Sequence, residues 1–441
     1  MPHTPSAPLS PMHDLAREAI IRLWPVYELR RARASTSYPT LPGIGSAAEG
    51  KNWCNVFAHR RELIRPGVSK IVMPNNDTLY SVAWLDLASG PLVIDIPDMG
   101  DRYHVLGLMD SLTNPIAHLG SRLLPGGAKS VLVSGPGETA GTPPHWAGEH
   151  VRAPSRWVWI IGRILVTSPS DLPAVHKLQD GLQIRPFGDQ QNAPAQFSPD
   201  CDLGAPLDAR HFSTQVNAAL QEMAGDQNLN AERLPSFATL GIGAGLTPSH
   251  EQIEQLEPVL QAVRQFLKTP CARRGTTHWE YLPRLGQSFG DDIHLRAHIS
   301  QQYIGMVESK EAVYRMTWHD GKGQRLHGRQ RYALQFAPGA LPPVDAFWSL
   351  TIYESATGRL IDNPIDRYAI GDRTPGLSLD EHGGLRILIS HRRPATREES
   401  NWLPAPQNDF YLCLRAYLPR ADILNGLYEL PPVQRLHTEE H

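Results

Sequence analysis

From position 14 the chain repeats apolar residues at helical spacing. Leu15, Ala19, Leu23 and Tyr27 form one stripe, with Ile20 and Trp24 beside it. This predicts an N-terminal helix that Pro25 kinks or interrupts, because proline removes a backbone donor and crowds the preceding turn. Residues 1–10, with three prolines, are expected to be mobile, and residues 36–50 read as a Ser/Pro/Gly loop. The period then shortens towards two. Short β-rich runs at 81–87, 92–96, 103–109, 130–133 and 157–166, parted by turns such as Ser89-Gly90-Pro91, predict an antiparallel sandwich. Residues 186–210 are loop-like. Helical spacing returns at Phe212, Val216, Leu220 and Met223, and again at Ile253, Leu256, Leu260, Val263 and Leu267. Ser249 with Gln252 reads as a capping box for the latter, and Pro258 is expected to bend it. A further helix is expected across 291–306. Strands resume at 331–336, 346–353, 385–390 and 410–418. In the last, Leu412, Leu414, Ala416 and Leu418 alternate with Tyr411, Cys413, Arg415 and Tyr417, giving one apolar and one mixed face.

The order helix, β, helices, β implies a mainly β fold with helical segments, in which two β-sandwich domains are joined by a helical subdomain. The expected boundaries are 1–40 for an N-terminal helical segment, 41–185 for the first sandwich, 186–306 for the helical subdomain and 307–441 for the second sandwich. Composition agrees. With 39 prolines in 441 residues, about 9% against an average near 5%, short strands and many turns are favoured over long helices. The balance of 42 basic and 45 acidic residues gives a net charge of −3, which points to neither nucleic acid nor an anionic membrane as partner. Four cysteines without a CxxC pair encode neither a zinc ribbon nor a disulfide scaffold, so free thiols in a reducing cytoplasm are expected. No signal peptide and no membrane span is read from the sequence.

The chain lacks a GxSxG elbow, a Walker A loop and an HExxH helix. Gly241-Ile242-Gly243-Ala244-Gly245 approaches a nucleotide fingerprint, but Leu246 breaks it and no strand of a βαβ unit precedes it. The richest polar segment is Pro74-Asn75-Asn76-Asp77-Thr78-Leu79-Tyr80, a turn entering a strand that can also present Asn76, Asp77 and Tyr80 to a cleft. Arg102 and Asp110 bracket one strand on one face, too far apart to pair. Arg163 interrupts an apolar strand, where a charge needs a partner or a cleft. In the last third, Asn363, Arg367 and Tyr368 follow one strand and Asn401 and Trp402 precede another. Trp402 could line a ligand site or plug a corner, and the plug is slightly favoured. His294 and His298, one helical turn apart, and His59 with His391 are weak candidates for a metal; no cofactor is otherwise expected.

Taken together, these segments resemble a known family. The strings PNNDTLYSVAWLDL, GDRYHVLGLMDSLTNPIAHLGSR and WVWIIGRILVTSPSDLPAVHKLQD are similar to the bacterial domain-of-unknown-function family numbered 1254. The strings AFWSLTIYE, LIDNPIDRYAIGDRTPGL and SNWLPAPQNDFYLCLRAY are similar to its usual C-terminal companion, numbered 1214. The resemblance implies two β-sandwiches, the second jelly-roll-like, with helices between, and supplies no activity. This chain has Ile299-Ser300-Gln301-Gln302-Tyr303-Ile304-Gly305-Met306 where a glycine-rich, Asn-containing turn is usual.

The functional expectation is an enzyme acting on a small organic substrate between the two β-domains, foremost a hydrolase, with a lyase or isomerase using the same residues. Asp77 is the expected acid or base and Tyr80 the proton donor. Arg163 is expected to stabilise negative charge. Asn76, Arg102, Asp110, Asn363, Arg367, Tyr368, Asn401 and Trp402 are the expected substrate contacts. Two other readings stand beside it: a carbohydrate or envelope-component binding protein, and a metal-dependent jelly-roll enzyme. Exposed sandwich edges suggest a homo-dimer or tetramer.

Overall fold

Ser10 caps the first helix, α1 (Pro11–Thr36), by accepting a hydrogen bond of 3.2 Å from the His13 amide. The computed structural model describes residues 10–67, 72–137, 145–188, 194–227 and 232–436, so the expected mobility of residues 1–9 lies outside the described residues. Helix α1 is not interrupted at Pro25. It runs on to Thr36, because Ile20, Ile21, Leu23, Trp24, Val26 and Tyr27 are all buried. Burying such side chains at about 1.5–3 kcal/mol each outweighs the roughly 3 kcal/mol that an interior proline costs. Their partners lie on α2 (Ala209–Glu222), α3 (His250–Leu267) and α4 (Ile293–Gln302), in one core that joins Trp24 to Phe212, Leu260 and Ala297. Residues 11–36 therefore belong to the same helical layer as 209–302 rather than standing apart. The Ser249–Gln252 capping box is formed, and α3 continues past Pro258.

The first sandwich packs two sheets. One contains, in spatial order, β1 (Ala58–His59), β2 (Thr78–Asp86), β8 (Trp157–Leu165), β4 (His104–Met109) and β5 (Pro115–Gly120). The other contains β7 (Glu149–Arg152), β6 (Lys129–Ser134), β3 (Leu92–Ile96) and β9 (Gln183–Pro186). Leu79, Leu85, Ile94, Leu106, Val133, Val158 and Ile160 fill the space between them. Contrary to the antiparallel expectation, β7 pairs with β6 in parallel.

The second sandwich repeats the plan. A six-stranded sheet runs β10 (Arg273–Arg274), β11 (Glu280–Tyr281), β12 (Ala312–Thr317), β18 (Phe410–Pro419), β14 (Val344–Glu354) and β15 (Ala369–Gly371). It faces a sheet of β17 (Trp402–Pro404), β16 (Leu385–Ser390), β13 (Arg331–Phe336) and β19 (Val433–Leu436), with β16 and β17 parallel. Trp348, Leu350, Ile387, Leu412 and Leu414 lie between. The short strands β10 and β11 come from the stretch expected to be helical linker, so the second sandwich begins before residue 307.

Strands β8 and β18 are buried on both faces. On β8, Val158, Ile160 and Ile164 point into the first core, and Trp159, Ile161, Arg163 and Leu165 point outward. On β18, Leu412, Leu414 and Ala416 enter the second core, and Tyr411, Cys413, Arg415 and Tyr417 point outward. The outward faces meet, packing Tyr103, Val105 and Leu165 against Ala312, Phe347 and Tyr417. The mixed face of β18 is thus a sheet-to-sheet interface, and its polar residues are enclosed between the two sandwiches.

Candidate functional site at the interface of the two sandwiches

Two buried arginines hold this interface. Arg163 lies opposite Tyr80 on one neighbouring strand and Val105 on the other. Its guanidinium sits 5.6 Å from the Tyr80 ring centroid and donates to the Gly305 carbonyl at 3.0 Å. Arg415 lies opposite Tyr314 and Ser349. It donates to Thr351 Oγ1 at 3.0 Å and to the Met73 carbonyl at 2.9 Å, and stands 5.9 Å and 5.7 Å from the Tyr314 and Tyr353 rings. Among the described residues neither guanidinium forms an ion pair with a carboxylate. Burial drives the phenols of Tyr314 and Tyr417 up, and both arginines oppose this at Tyr314. Hydrogen bonds occupy the hydroxyls of Tyr103, to Glu311 at 3.2 Å, and Tyr353, to the Pro74 carbonyl at 2.7 Å.

Asp77 enters the same interface from the turn before β2. The Asn75 side chain accepts from the Asp77 amide at 2.6 Å, an Asx turn that sets the loop. The Asp77 carboxylate is buried and held from the second sandwich: Ser349 Oγ donates to Oδ2 at 2.6 Å and Arg373 Nη2 to Oδ1 at 3.2 Å. Asn76 Oδ1 is buried and has no hydrogen-bond partner among the described residues. Met73, at the edge of the loop, has φ +53°, the left-handed region, and is held there by its amide bond to Gly358 at 2.8 Å and by Arg415.

Asp77, Tyr80, Arg163 and Asn76 thus lie at one interface; the other expected contacts do not converge on it. Arg102 makes two bonds to Asp171, at 2.5 and 2.8 Å. Asp110, at the far end of β4, closes a turn onto the amides of Leu112 and Asn114. Asn363 bonds within its own turn, and Arg367 donates to the carbonyls of Glu399, Ser400 and Trp402. The Tyr368 hydroxyl is taken by Asp366, and Asn401 ties the Ser378 backbone to that of Arg386. Trp402 is 0% exposed and donates to the Ser390 carbonyl at 2.9 Å, so it is a corner plug. His59 bonds Ser81 in the first sandwich and His391 the Ala405 carbonyl in the second, while His294 and His298 pack on Phe266. Among the described residues no group of three or more His, Cys, Asp or Glu is placed to hold a metal.

The strap leading from α4 into β12 completes the interface. Besides receiving Arg163 at Gly305, it binds the first sandwich through His118, whose Nε2 accepts from the Glu308 amide at 3.1 Å. Arg122 pairs with Glu308 at 3.1 Å and Glu311 at 2.9 Å. A carboxylate oxygen of Glu308 lies 3.7 Å from His118 Nδ1, yet burial, with Arg122 and Arg163 nearby, holds the imidazole neutral and its pKa at about 3. A histidine whose folded pKa is depressed from 6.5 takes up its proton first in the unfolded chain, so its contribution to stability is lost as pH falls below 6.5. Between pH 7 and pH 4.5, the stability margin of the wild type over His118→Gln should shrink by roughly 2–3 kcal/mol in urea unfolding. An unchanged margin would show that His118 titrates alike in the folded and the unfolded chain and is not held neutral by burial.

Two β-sandwiches set face to face, with a helical layer beside them and buried arginines at the seam, define a tandem two-sandwich protein. Residues 54–186 match the family model described as a protein of unknown function (DUF1254), and residues 311–421 match a second with the same description (DUF1214). The chain belongs to the family that carries these two domains in that order. Its fold is similar to the crystal structure of a Vibrio parahaemolyticus protein, with a TM-score of 0.71 and 24% identity over 96% of this chain and 100% of that one. An uncharacterized Burkholderia cenocepacia protein shows a TM-score of 0.45 and 14% identity over 98% and 90%. The search of curated proteins returned no match.

Proposed function

We propose that the chain is an enzyme that takes a small organic anion into the seam between its two sandwiches. The supporting observation is the pair Arg163 and Arg415, buried on facing sheets among tyrosines and without an ion-pair partner among the described residues. An unpaired buried cation is costly, and an anionic ligand supplies the missing charge. The two guanidiniums would hold the carboxylate or the developing oxyanion, and the phenols of Tyr80 and Tyr314 would carry protons. Asp77 serves as a positioning residue, because both of its carboxylate oxygens are already engaged, by Ser349 and Arg373. With water as co-substrate the reaction is a hydrolysis; a lyase or isomerase would use the same groups. Among the described residues no helix is long and apolar enough to cross a membrane. The four cysteines are free thiols, which supports action in the reducing cytoplasm.

The test is a panel of aliphatic and aromatic carboxylates and their esters, read by calorimetry and by turnover. Arg163→Met and Arg415→Met should each weaken binding at least about tenfold, the value of one charged hydrogen bond. Equal binding and turnover in both variants would sink the proposal. Trp402, fully buried, offers no open ring face on which a sugar could stack.

A further inference from the structure

The opposite face of the six-stranded sheet carries a second cluster of cations that the proposal above does not use. In the register of β10, β11 and β12, Arg273 pairs with Tyr281 and Tyr281 with Arg315. Directly paired residues share a face, so the three side chains stand in a row. The Arg315 guanidinium lies 4.3 Å from the Tyr281 ring centroid and that of Arg273 lies 5.5 Å from it. Arg284, from the loop after β11, joins them around a cavity of about 330 Å³. Leu282, Ile423 and Leu424 form its apolar wall. Tyr314, one residue before Arg315, points to the other side of the sheet, into the seam, so the two sites are separated by the sheet itself.

Among the described residues none of Arg273, Arg284 and Arg315 forms an ion pair. The acid of the same strand, Glu280, is turned away from the cavity: it pairs with Met316 on the seam face and forms its ion pair with Arg274 at 3.1 Å. Arg315 is half-buried, and burial together with Arg273 and Arg284 lowers its pKa to about 10. Like charges gathered without a counter-charge repel one another, and the chain has acidic residues in excess with which to neutralise them. Guanidiniums are the side chains whose forked donors match a carboxylate in two-point contact. The cavity volume falls within the usual span of small-molecule sites, about 300–1,000 Å³.

We infer that this cavity, floored by Tyr281 and ringed by Arg273, Arg284 and Arg315, is a binding site for a small organic polycarboxylate. Its carboxylates sit on the guanidiniums and its carbon chain lies against Leu282 and Leu424. The site does not depend on the seam: its ligand reaches none of Arg163, Arg415 or Asp77.

Titration calorimetry with citrate as probe tests this on the full chain. Citrate should bind the wild type, with an affinity that falls as salt is raised. Arg315→Gln should weaken binding at least about tenfold, as should the double variant Arg273→Gln/Arg284→Gln. Because Arg273 and Arg284 are exposed, the double variant will fold even if Arg315→Gln does not. Citrate binding lost in Arg163→Met and kept in the double variant would place the ligand at the seam instead and overturn the assignment. Absence of citrate binding to the wild type, or equal affinity in the double variant, would overturn the assignment.

Discussion

Replacing Trp402 with alanine is expected to cost the folded state about 3–5 kcal/mol, the range for removing a large aromatic from a closed core. The indole is 0% exposed, and its Nε1–H is satisfied by the Ser390 carbonyl at 2.9 Å. Truncation leaves a cavity that the two parallel strands β16 and β17 cannot close, and it removes one of the two hydrogen bonds at that carbonyl, the other being held by the Ala405 amide at 2.9 Å. Trp402→Phe keeps most of the volume and should lose about 1–2 kcal/mol, chiefly the hydrogen bond. Equilibrium urea unfolding reads both. A loss below about 1 kcal/mol for the alanine variant would mean that the site collapses easily and that Trp402 is no plug.

Asp77→Asn is expected to lose about 2–4 kcal/mol. Breaking a buried ion pair by removing one partner costs about 3–5 kcal/mol, and the lower figure applies here because the Arg373 side chain is 26% exposed and partly solvated. The carboxylate is the only link through which the 75–78 turn grips the second sandwich by both Ser349 and Arg373 among the described residues. The amide can still accept one bond from Ser349 or Arg373, but without charge. A double-mutant cycle with Arg373→Gln should return a coupling of at least about 1 kcal/mol. The opposite outcome is equally readable: unchanged unfolding with abolished turnover would make Asp77 a catalytic group rather than a tie.

These two residues show what a linear pattern can and cannot say. Both stand out in the sequence because their types are costly where they stand: a carboxylate at the mouth of an apolar strand and an indole between polar neighbours. That argument identifies a residue that must find a partner. It does not name the partner, and for Asp77 the partners are 272 and 296 residues away in the chain. Arg163 is the same case, since its acceptor, Gly305, sits in the strap after α4, 142 residues on. Arg415 was visible only as one member of a mixed face. Nothing in its alternation with Leu414 and Ala416 says that the face is covered by another sheet, or that Tyr314 would stand beside it.

What the sequence determined by itself is local. The period of two placed β3, β8, β13 and β16 within a residue or so, since burial of alternate side chains is written directly into the chain. The capping box opened α3 at Ser249 for the same reason: the groups that satisfy each other are three residues apart. The tertiary structure decided whatever depends on distant neighbours. It carried α1 through Pro25, because a core drawn from α2, α3 and α4 outweighs one missing hydrogen bond. It drew 273–281 into the second sandwich as two strands too short to announce themselves. It sent Arg102, Asp110, Asn363 and Arg367 into local ties and brought Arg163 and Arg415 to a common seam, because only a closed fold determines which partners each buried charge meets.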